Sequence, residues 1–416
     1  DINGTVGDSS DDRIDVALDR IALIDIFETL EIHKVLIGGR ATGRVVAKNL
    51  LGGEPEIECP AIHVDTIGYQ YCTIGNADVA ASWDNAAKAV VLDADITGTE
   101  GRYSHIFGSI YPLGEGGLDL NFEADSIPVG FLRPFLSAFS SDISGRASGK
   151  CRLFGPFSDV GLEGDVKATD VALKVDFTGV TYTANDSVHM RPGSIVLDKV
   201  RMRDPEGHTA VLDGRVTHTF FKEPMSYRFD VTRASNLLVL NTTARDNPDW
   251  HGRIYANGKA SIAGKTGEVN ISADMTTAPG STFDFVLSDR LDAEEYSFIN
   301  FRDATPDSLR VAEIEIDNTP QAVKSFRNRA QQLAGATSKY NMDIRVAVTP
   351  EAAVTLVMDP SAGDCIRAHG NGSLHMAYHS ANDDLNIWGK YSLTNGQYRF
   401  TLQDIIIKDF IIKEGS

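Results

Sequence analysis

The sequence predicts an all-β protein, an elongated antiparallel β-sheet folded over as a half-pipe with a hydrophobic groove, plus one or two short helices. Three observations predict it. Apolar and polar residues alternate with period 2 from end to end, the pattern of strands with one buried and one solvated face. Turn clusters interrupt the alternation at Asp204-Pro205-Glu206-Gly207, Asn247-Pro248-Asp249, Ala278-Pro279-Gly280 and Asp359-Pro360-Ser361. A glycine pair leading into a strand recurs at Gly39/Gly43, Gly145/Gly149, Gly252/Gly258 and Gly370/Gly372, with a period of about 110 residues that marks repeated β units.

Taken in order, residues 1–127 read as strands and end in Leu118-x-Leu120-x-Phe122-x-Ala124. Residues 128–144 read as a short amphipathic helix. Pro128 pre-sets its first turn, and Phe131, Leu132, Phe135, Leu136 and Phe139 form one apolar stripe. Residues 145–289 return to alternation in Leu173-x-Val175-x-Phe177, Tyr227-x-Phe229-x-Val231 and Phe283-x-Phe285-x-Leu287. Residues 290–340 read as a loop insertion that holds a second helix, Pro320 to Gly335. Residues 341–416 are strands again, as in Met342-x-Ile344-x-Val346, Val354-x-Leu356-x-Met358 and Tyr398-x-Phe400-x-Leu402. Thr394-Asn395-Gly396 predicts a hairpin turn among them.

Counting constrains the architecture. With a strand and its turn taking roughly 12 residues, the chain supplies on the order of 28 to 32 strands, beyond the roughly 10 that a twisted open sheet tolerates. The sheet must therefore curl, stack or close, and two short helices cannot cover its apolar faces. A solenoid closed around side chains and a trough open along one side both satisfy this. No short constant rung of the kind that locks a tight β-helix is present, which favours the trough.

A chain of 416 residues with 42% hydrophobic content can bury a large core. The net charge of −19, with no Lys/Arg cluster of the size that would neutralise several phosphates, argues against nucleic acid and against docking of this segment on an anionic membrane surface. Cys59, Cys72, Cys151 and Cys365 make no metal spacing; Cys59 and Cys72 could pair across adjacent strands, but a disulfide framework would need a higher cysteine density. No apolar run reaches the roughly 18 residues that span a bilayer. The chain starts at Asp1 without an apolar leader, so it is expected to be a fragment or a processed form whose membrane anchor lies outside it.

Chemistry-bearing motifs are few. Gly258 to Thr266 resembles a phosphate loop, but five residues separate its glycines where the pattern needs four, and no helix follows. His375 and His379 would match a metal pair on a helix, yet their segment alternates as a strand and predicts both on the face opposite Leu374, Met376 and Tyr378. Asp383-Asp384 and Glu294-Glu295 fall in loop-like sequence. The reading is a protein with no catalytic residues, no metal and no cofactor. Function is expected on the apolar faces instead. Phe122, Leu162, Val175, Phe177, Phe229, Phe283, Phe285, Ile344, Leu356, Met376, Tyr398 and Phe400 are the expected groove-lining residues, with Phe131, Phe135 and Phe139 as a local helix plug.

From about residue 100 onward the chain resembles the C-terminal region of the TamB family. The likeness rests on Phe131-Leu132-x-Pro134-Phe135-Leu136, on Ile143 to Gly155, on Ala210-Val211-Leu212-Asp213-Gly214, and on Leu238 to Thr243. Tyr255-Ala256-x-Gly258, Asp359 to Gly372 and Gly396-x-Tyr398-x-Phe400 continue it in order. The resemblance implies a taco-like sheet with a hydrophobic groove, in the periplasm of a Gram-negative bacterium, hung from an N-terminal inner-membrane helix. It implies phospholipid acyl chains as cargo and a barrel partner of the TamA or BamA type, met through C-terminal strands expected to lie largely outside this chain. It also implies support of outer-membrane protein assembly and secretion. A scaffold that holds unfolded outer-membrane proteins by β-augmentation is the alternative, and a purely structural spacer is the third reading.

Overall fold

The computed structural model describes residues 1–5, 12–25, 37–49, 55–69, 72–98, 101–136, 139–219, 222–248, 250–265, 267–286, 339–360, 362–381, 384–402, 406–413 and 415. These residues form 23 strands and divide into two compact units. Unit 1 comprises Asp1–Leu237 with Gly258–Ser272, and unit 2 comprises Leu238–Asn257 with Ala273–Ser416. The predicted helix Pro320 to Gly335 and the acids Glu294 and Glu295 lie outside the described residues.

Unit 1 is an antiparallel ladder in chain order. Its strands are β1 (Ile2–Gly4), β2 (Arg13–Ala22), β3 (Ile37–Lys48), β4 (Glu56–Tyr69), β5 (Cys72–Asp84), β6 (Ala89–Gly98), β7 (Tyr103–Tyr111), β8 (Gly117–Pro128), β9 (Asp142–Pro156) and β10 (Gly161–Val175). Beyond β10 the ladder splits. Val171–Val175 pair with β11 (Val180–Ala184), Gly164–Lys167 pair with β12 (Ser187–Arg191), and both of these pair with β13 (Ser194–Arg203). The ladder then continues through β14 (Thr209–Thr219) to β15 (Lys222–Thr242). The strands are longer than the counting assumed, β15 reaching 21 residues.

One crease crosses this ladder. Register shifts occur at Leu18/Ile21, Val64/Ile67, Ala124/Ile127, Thr169/Ala172 and Leu197/Val200. At each, a non-glycine residue takes positive φ: Arg20, Thr66, Ser126, Asp170 and Lys199. A bulge leaves its extra N–H outside the ladder, and here a neighbouring side chain accepts it. Arg20 N–H donates to Thr42 Oγ1 (3.2 Å), Thr66 to Asn76 Oδ1 (3.0 Å), Ser126 to Ser148 Oγ (2.8 Å), Asp170 to Asn185 Oδ1 (2.5 Å) and Lys199 to Asp213 Oδ1 (3.0 Å). Bulges bend the strand that carries them, so a line of them bends the sheet. Ala41, Val64, Ala77 and Ile96 are only 1–4% exposed, although the described helix is too short to cover them. The sheet of unit 1 folds over its own apolar face.

The helix predicted over 128–144 is shorter than its pattern suggests. A 3-10 turn, Val129–Leu132, runs into a single α turn, α1 (Arg133–Leu136). Ser140 N–H donates to Leu136 O (2.9 Å), and Asp176 N–H to Phe139 O (3.1 Å), which returns the chain to the sheet. Strand β9 begins at Asp142, so the last residues of the predicted helix, 142–144, are extended.

Unit 2 contains the rest of β15, the start of β16 (Trp250–Lys265) and the end of β17 (Glu268–Thr277). Its further strands are β18 (Thr282–Val286), β19 (Lys339–Val348), β20 (Ala353–Asp359), β21 (Asp364–His379), β22 (Asp384–Leu402) and β23 (Ile406–Ile412). β18 pairs antiparallel with β16 but parallel with β20. β19 and β20 lie end to end along β21, which pairs with β22, and β22 pairs with β23. Hydroxyls mend the interruptions. Ser281 Oγ accepts Tyr255 N–H (3.0 Å) and donates to Ala278 O (2.6 Å), and Thr277 Oγ1 accepts Thr349 N–H (2.9 Å).

One local expectation is corrected here, and one open pairing is decided. Thr394-Asn395-Gly396 is not a hairpin turn but lies inside the continuous β22. Thr394 is its bulged residue, opposite the His369/Gly370 step, and its hydroxyl donates to His369 O (3.0 Å). Gly396 is there because a Cβ would stand 2.9 Å from Ala368 Cβ. Cys59 and Cys72 do not pair, since Cys59 is opposite Ala81 and Cys72 opposite Tyr69, at the two ends of the β4–β5 ladder.

Candidate apolar face

Register pairing turns the alternation into continuous rows. In unit 1 one row passes from Leu18 through Gly43, Ile62, Val79, Ala94, Ile106 and Phe122 to Cys151. It goes on through Gly164, Met190, Ile195 and Val216 to Tyr227. No polar side chain enters it except the Tyr227 hydroxyl and the Cys151 thiol, whose pKa burial raises. One residue along each strand lies the opposite row: Thr42, His63, Asp78, Asp95, His105, Glu123, Lys150, Asp165 and His189. The sheet thus has an apolar face and a charged face, set by strand period alone.

The charged face is stitched by cross-strand pairs. Lys150 meets Glu123 at 2.5 Å, and Arg152 holds Asp119 at 2.7 Å and Glu163 at 3.5 Å. The Arg152 hydrogen bond keeps the Asp119 carboxyl below the usual range. His63 meets Asp78 at 2.7 Å and Asp65 at 3.3 Å. The Asp78 hydrogen bond raises its pKa, with burial opposing and the charges of Asp78 and Asp65 adding. A raised imidazole pKa stabilises the fold fully below the unfolded value of about 6.5, and that contribution is lost as pH rises through the folded value. NMR titration is expected to place His63 above its position in an Asp78→Asn variant; coincident titrations would refute the pairing.

The structure places the expected groove residues as follows. Phe122 lies in the long row, and Leu162 in the adjacent one, Leu92–Gly108–Leu120–Leu153–Leu162. Val175 is opposite Val180, whereas Phe177 sits in the turn after β10. Phe229 is opposite Gly214, where a Cβ would come 2.8 Å from its ring and 3.0 Å from Leu197. In unit 2, Phe285, Leu356 and Tyr398 join one row, Trp250–Phe285–Leu356–Ile366–Tyr398–Phe410. Phe283 lies beside Phe285 with ring centroids 6.5 Å apart, and Phe400 beside Tyr398 at 6.2 Å. Ile344 and Met376 are directly opposite. All of these are buried or half-buried. Of the plug residues, Phe131 packs on Tyr69 (5.9 Å between centroids) and Phe139 is half-buried beyond the helix. The Phe135 side chain lies outside the described residues.

Trp250, Ile366 and Phe410 complete this apolar row without having been singled out; Trp250 enters it through Phe285, 35 residues on. The remaining motifs resolve simply. Gly258 to Lys265 is strand β16, and His375 and His379 stand on the polar face, bonded to Asp343 (3.2 Å) and Asn341 (3.1 Å). No described helix is long and apolar enough to cross a membrane. A family model described as the TamB C-terminal domain matches residues 198–416. No curated protein and no solved structure matches the chain.

Proposed function

Because the chain belongs to the TamB C-terminal domain family, we propose that it is a periplasmic part of a TamB-like protein that carries phospholipid acyl chains along the apolar face of its folded sheet towards the outer membrane. The same part supports outer-membrane protein assembly, and an inner-membrane anchor outside these residues suspends it. The observation that carries the reading is the uninterrupted apolar row from Leu18 to Tyr227, with its charged counterpart on the other face. An acyl chain laid along half-buried Phe122, Tyr227 and Phe229 leaves water at about 0.8 kcal/mol per buried methylene, and its headgroup stays at the open margin. Transport then needs only a gradient, and no catalytic step is invoked.

A photoreactive phenylalanine at Phe122 or Phe229 is expected to crosslink phospholipid, while the same probe at the adjacent Glu123 or Arg228 does not. Equal labelling from both faces, or none from the apolar face of a folded variant, would refute the conduit. Strand β23 favours a second reading, docking of a barrel of the TamA or BamA type or of an unfolded outer-membrane strand. Its Ile407 and Ile411 are 63% and 84% exposed on the face that carries the Arg399–Asp409 pair. Probes at these two positions that capture barrel proteins in preference to lipid would support it.

A further inference from the structure

The charged face of unit 1 is mostly matched, as at Arg13 with Asp15 and Lys150 with Glu123. Strands β13 and β15 depart from this. Arg201, Arg203 and Arg233 are exposed, and among the described residues none of the three guanidinium groups meets a carboxylate or another side chain. Val200 and Met202, which flank Arg201 along β13, are 4% and 7% exposed, so alternation sends Arg201 and Arg203 outward together. They stand about 7 Å apart along the strand.

Their surroundings are hydroxyls rather than acids. Arg203 lies in the row Ser144–Ala172–Thr183–Arg203–Thr209–Ser235. Arg201 is in register with Val211, which is opposite Thr232, so Arg233 follows two strand spacings away, about 10 Å. The outward acids on these strands are engaged: Asp198 lies 3.7 Å from Lys199, Asp213 accepts Lys199 N–H (3.0 Å), and Asp230 holds Arg228 (2.7 Å).

We propose that this patch docks the protein on an anionic phospholipid surface, each guanidinium taking a phosphodiester headgroup with help from the flanking hydroxyls. Charge complementarity names the occupant. The fork of a guanidinium donates two hydrogen bonds to phosphate oxygens, and serine and threonine hydroxyls donate to the same acceptor. A protein partner would seek apolar anchors, and among the described residues of β13–β15 no large hydrophobic side chain is exposed. The overall charge of −19 does not forbid the contact, because physiological salt screens charges beyond about 8 Å and leaves the local sign to decide.

The test is sedimentation of the protein with vesicles of phosphatidylcholine alone or of equal parts phosphatidylcholine and phosphatidylglycerol. Binding is expected to the mixed vesicles only and to fall with added salt. Substituting Arg201→Gln, Arg203→Gln and Arg233→Gln together weakens it about tenfold or more, whereas the matching Lys variant retains most of it. Arg152→Gln, which removes a guanidinium already held by Asp119, binds like the parent, and circular dichroism verifies each variant's fold. Equal binding to both vesicles, or undiminished binding by the Gln variant, overturns the proposal. So does competition by inorganic phosphate where chloride of equal ionic strength has no effect, which assigns the patch to a free anion. Retention on polyglutamate through these arginines without vesicle binding overturns it in favour of an acidic protein. The substitutions spare the apolar face, so the outcome is independent of acyl-chain carriage.

Discussion

Gly145→Ala is expected to destabilise unit 1 by about 2 to 4 kcal/mol, against about 1 kcal/mol for Gly101→Ala. Both glycines have positive φ, +112° and +71°. They differ in what surrounds them. A Cβ at Gly145 would stand 2.5 Å from Val171 Cα and 2.6 Å from Asp170 O, in the backbone of the neighbouring strand, whereas a Cβ at Gly101 would meet nothing within 4 Å. Those atoms belong to the β10 bulge, where Asp170 gives its N–H to Asn185, so backbone on both sides is already committed. Urea unfolding followed by tryptophan fluorescence and circular dichroism measures the difference. Equal midpoint shifts would mean that φ alone costs stability and that the crease can yield.

Val64→Asp is expected to unfold unit 1, costing about 4 kcal/mol or more, while Asp65→Val stays within about 1 kcal/mol. The two residues are adjacent on β4 and project to opposite faces. Val64 is 3% exposed, paired with Ala41 on one side and Ala77 on the other, so a carboxylate there has no polar partner in its row. Asp65 is half exposed and lies 3.3 Å from His63, an interaction that solvent screens. Denaturant midpoints and limited proteolysis report both variants. A tolerated Val64→Asp would show that the apolar row opens to water, and it would remove the basis for acyl-chain carriage as well.

Much of this was legible without coordinates. Period 2 placed Phe122, Tyr227, Phe285 and Tyr398 on apolar strand faces, because a strand's faces are decided by each residue and its immediate neighbours. His375 and His379 were assigned to the polar face for the same reason, and Asp343 and Asn341 receive them there. The glycine pairs marked repeated β units. The bulge beside Gly145 was not legible, because Asp170 and Asn185 are separated in sequence from Gly145 and meet it only through pairing.

Other features misled local reasoning. Asn395-Gly396 has the composition of a hairpin turn, but a bulge uses the same residues, and only the strand alongside distinguishes them. The stripe from Phe131 to Phe139 has helical spacing, yet the return of the chain to β9 stops the helix at Leu136. The sequence shows no Lys/Arg cluster, whereas pairing gathers Arg201, Arg203 and Arg233 among hydroxyls.

By itself the sequence determined that the chain is a two-faced β protein and which residues point to which face. These are properties of alternation and of side chains, and they act within a few residues. The tertiary structure alone decided the register, and with it the unbroken row from Leu18 to Tyr227, the crease built from Thr42, Asn76, Ser148, Asn185 and Asp213, and the grouping of Arg201, Arg203 and Arg233. Each depends on which strand lies beside which, a choice made by hydrogen bonds between residues far apart in the chain.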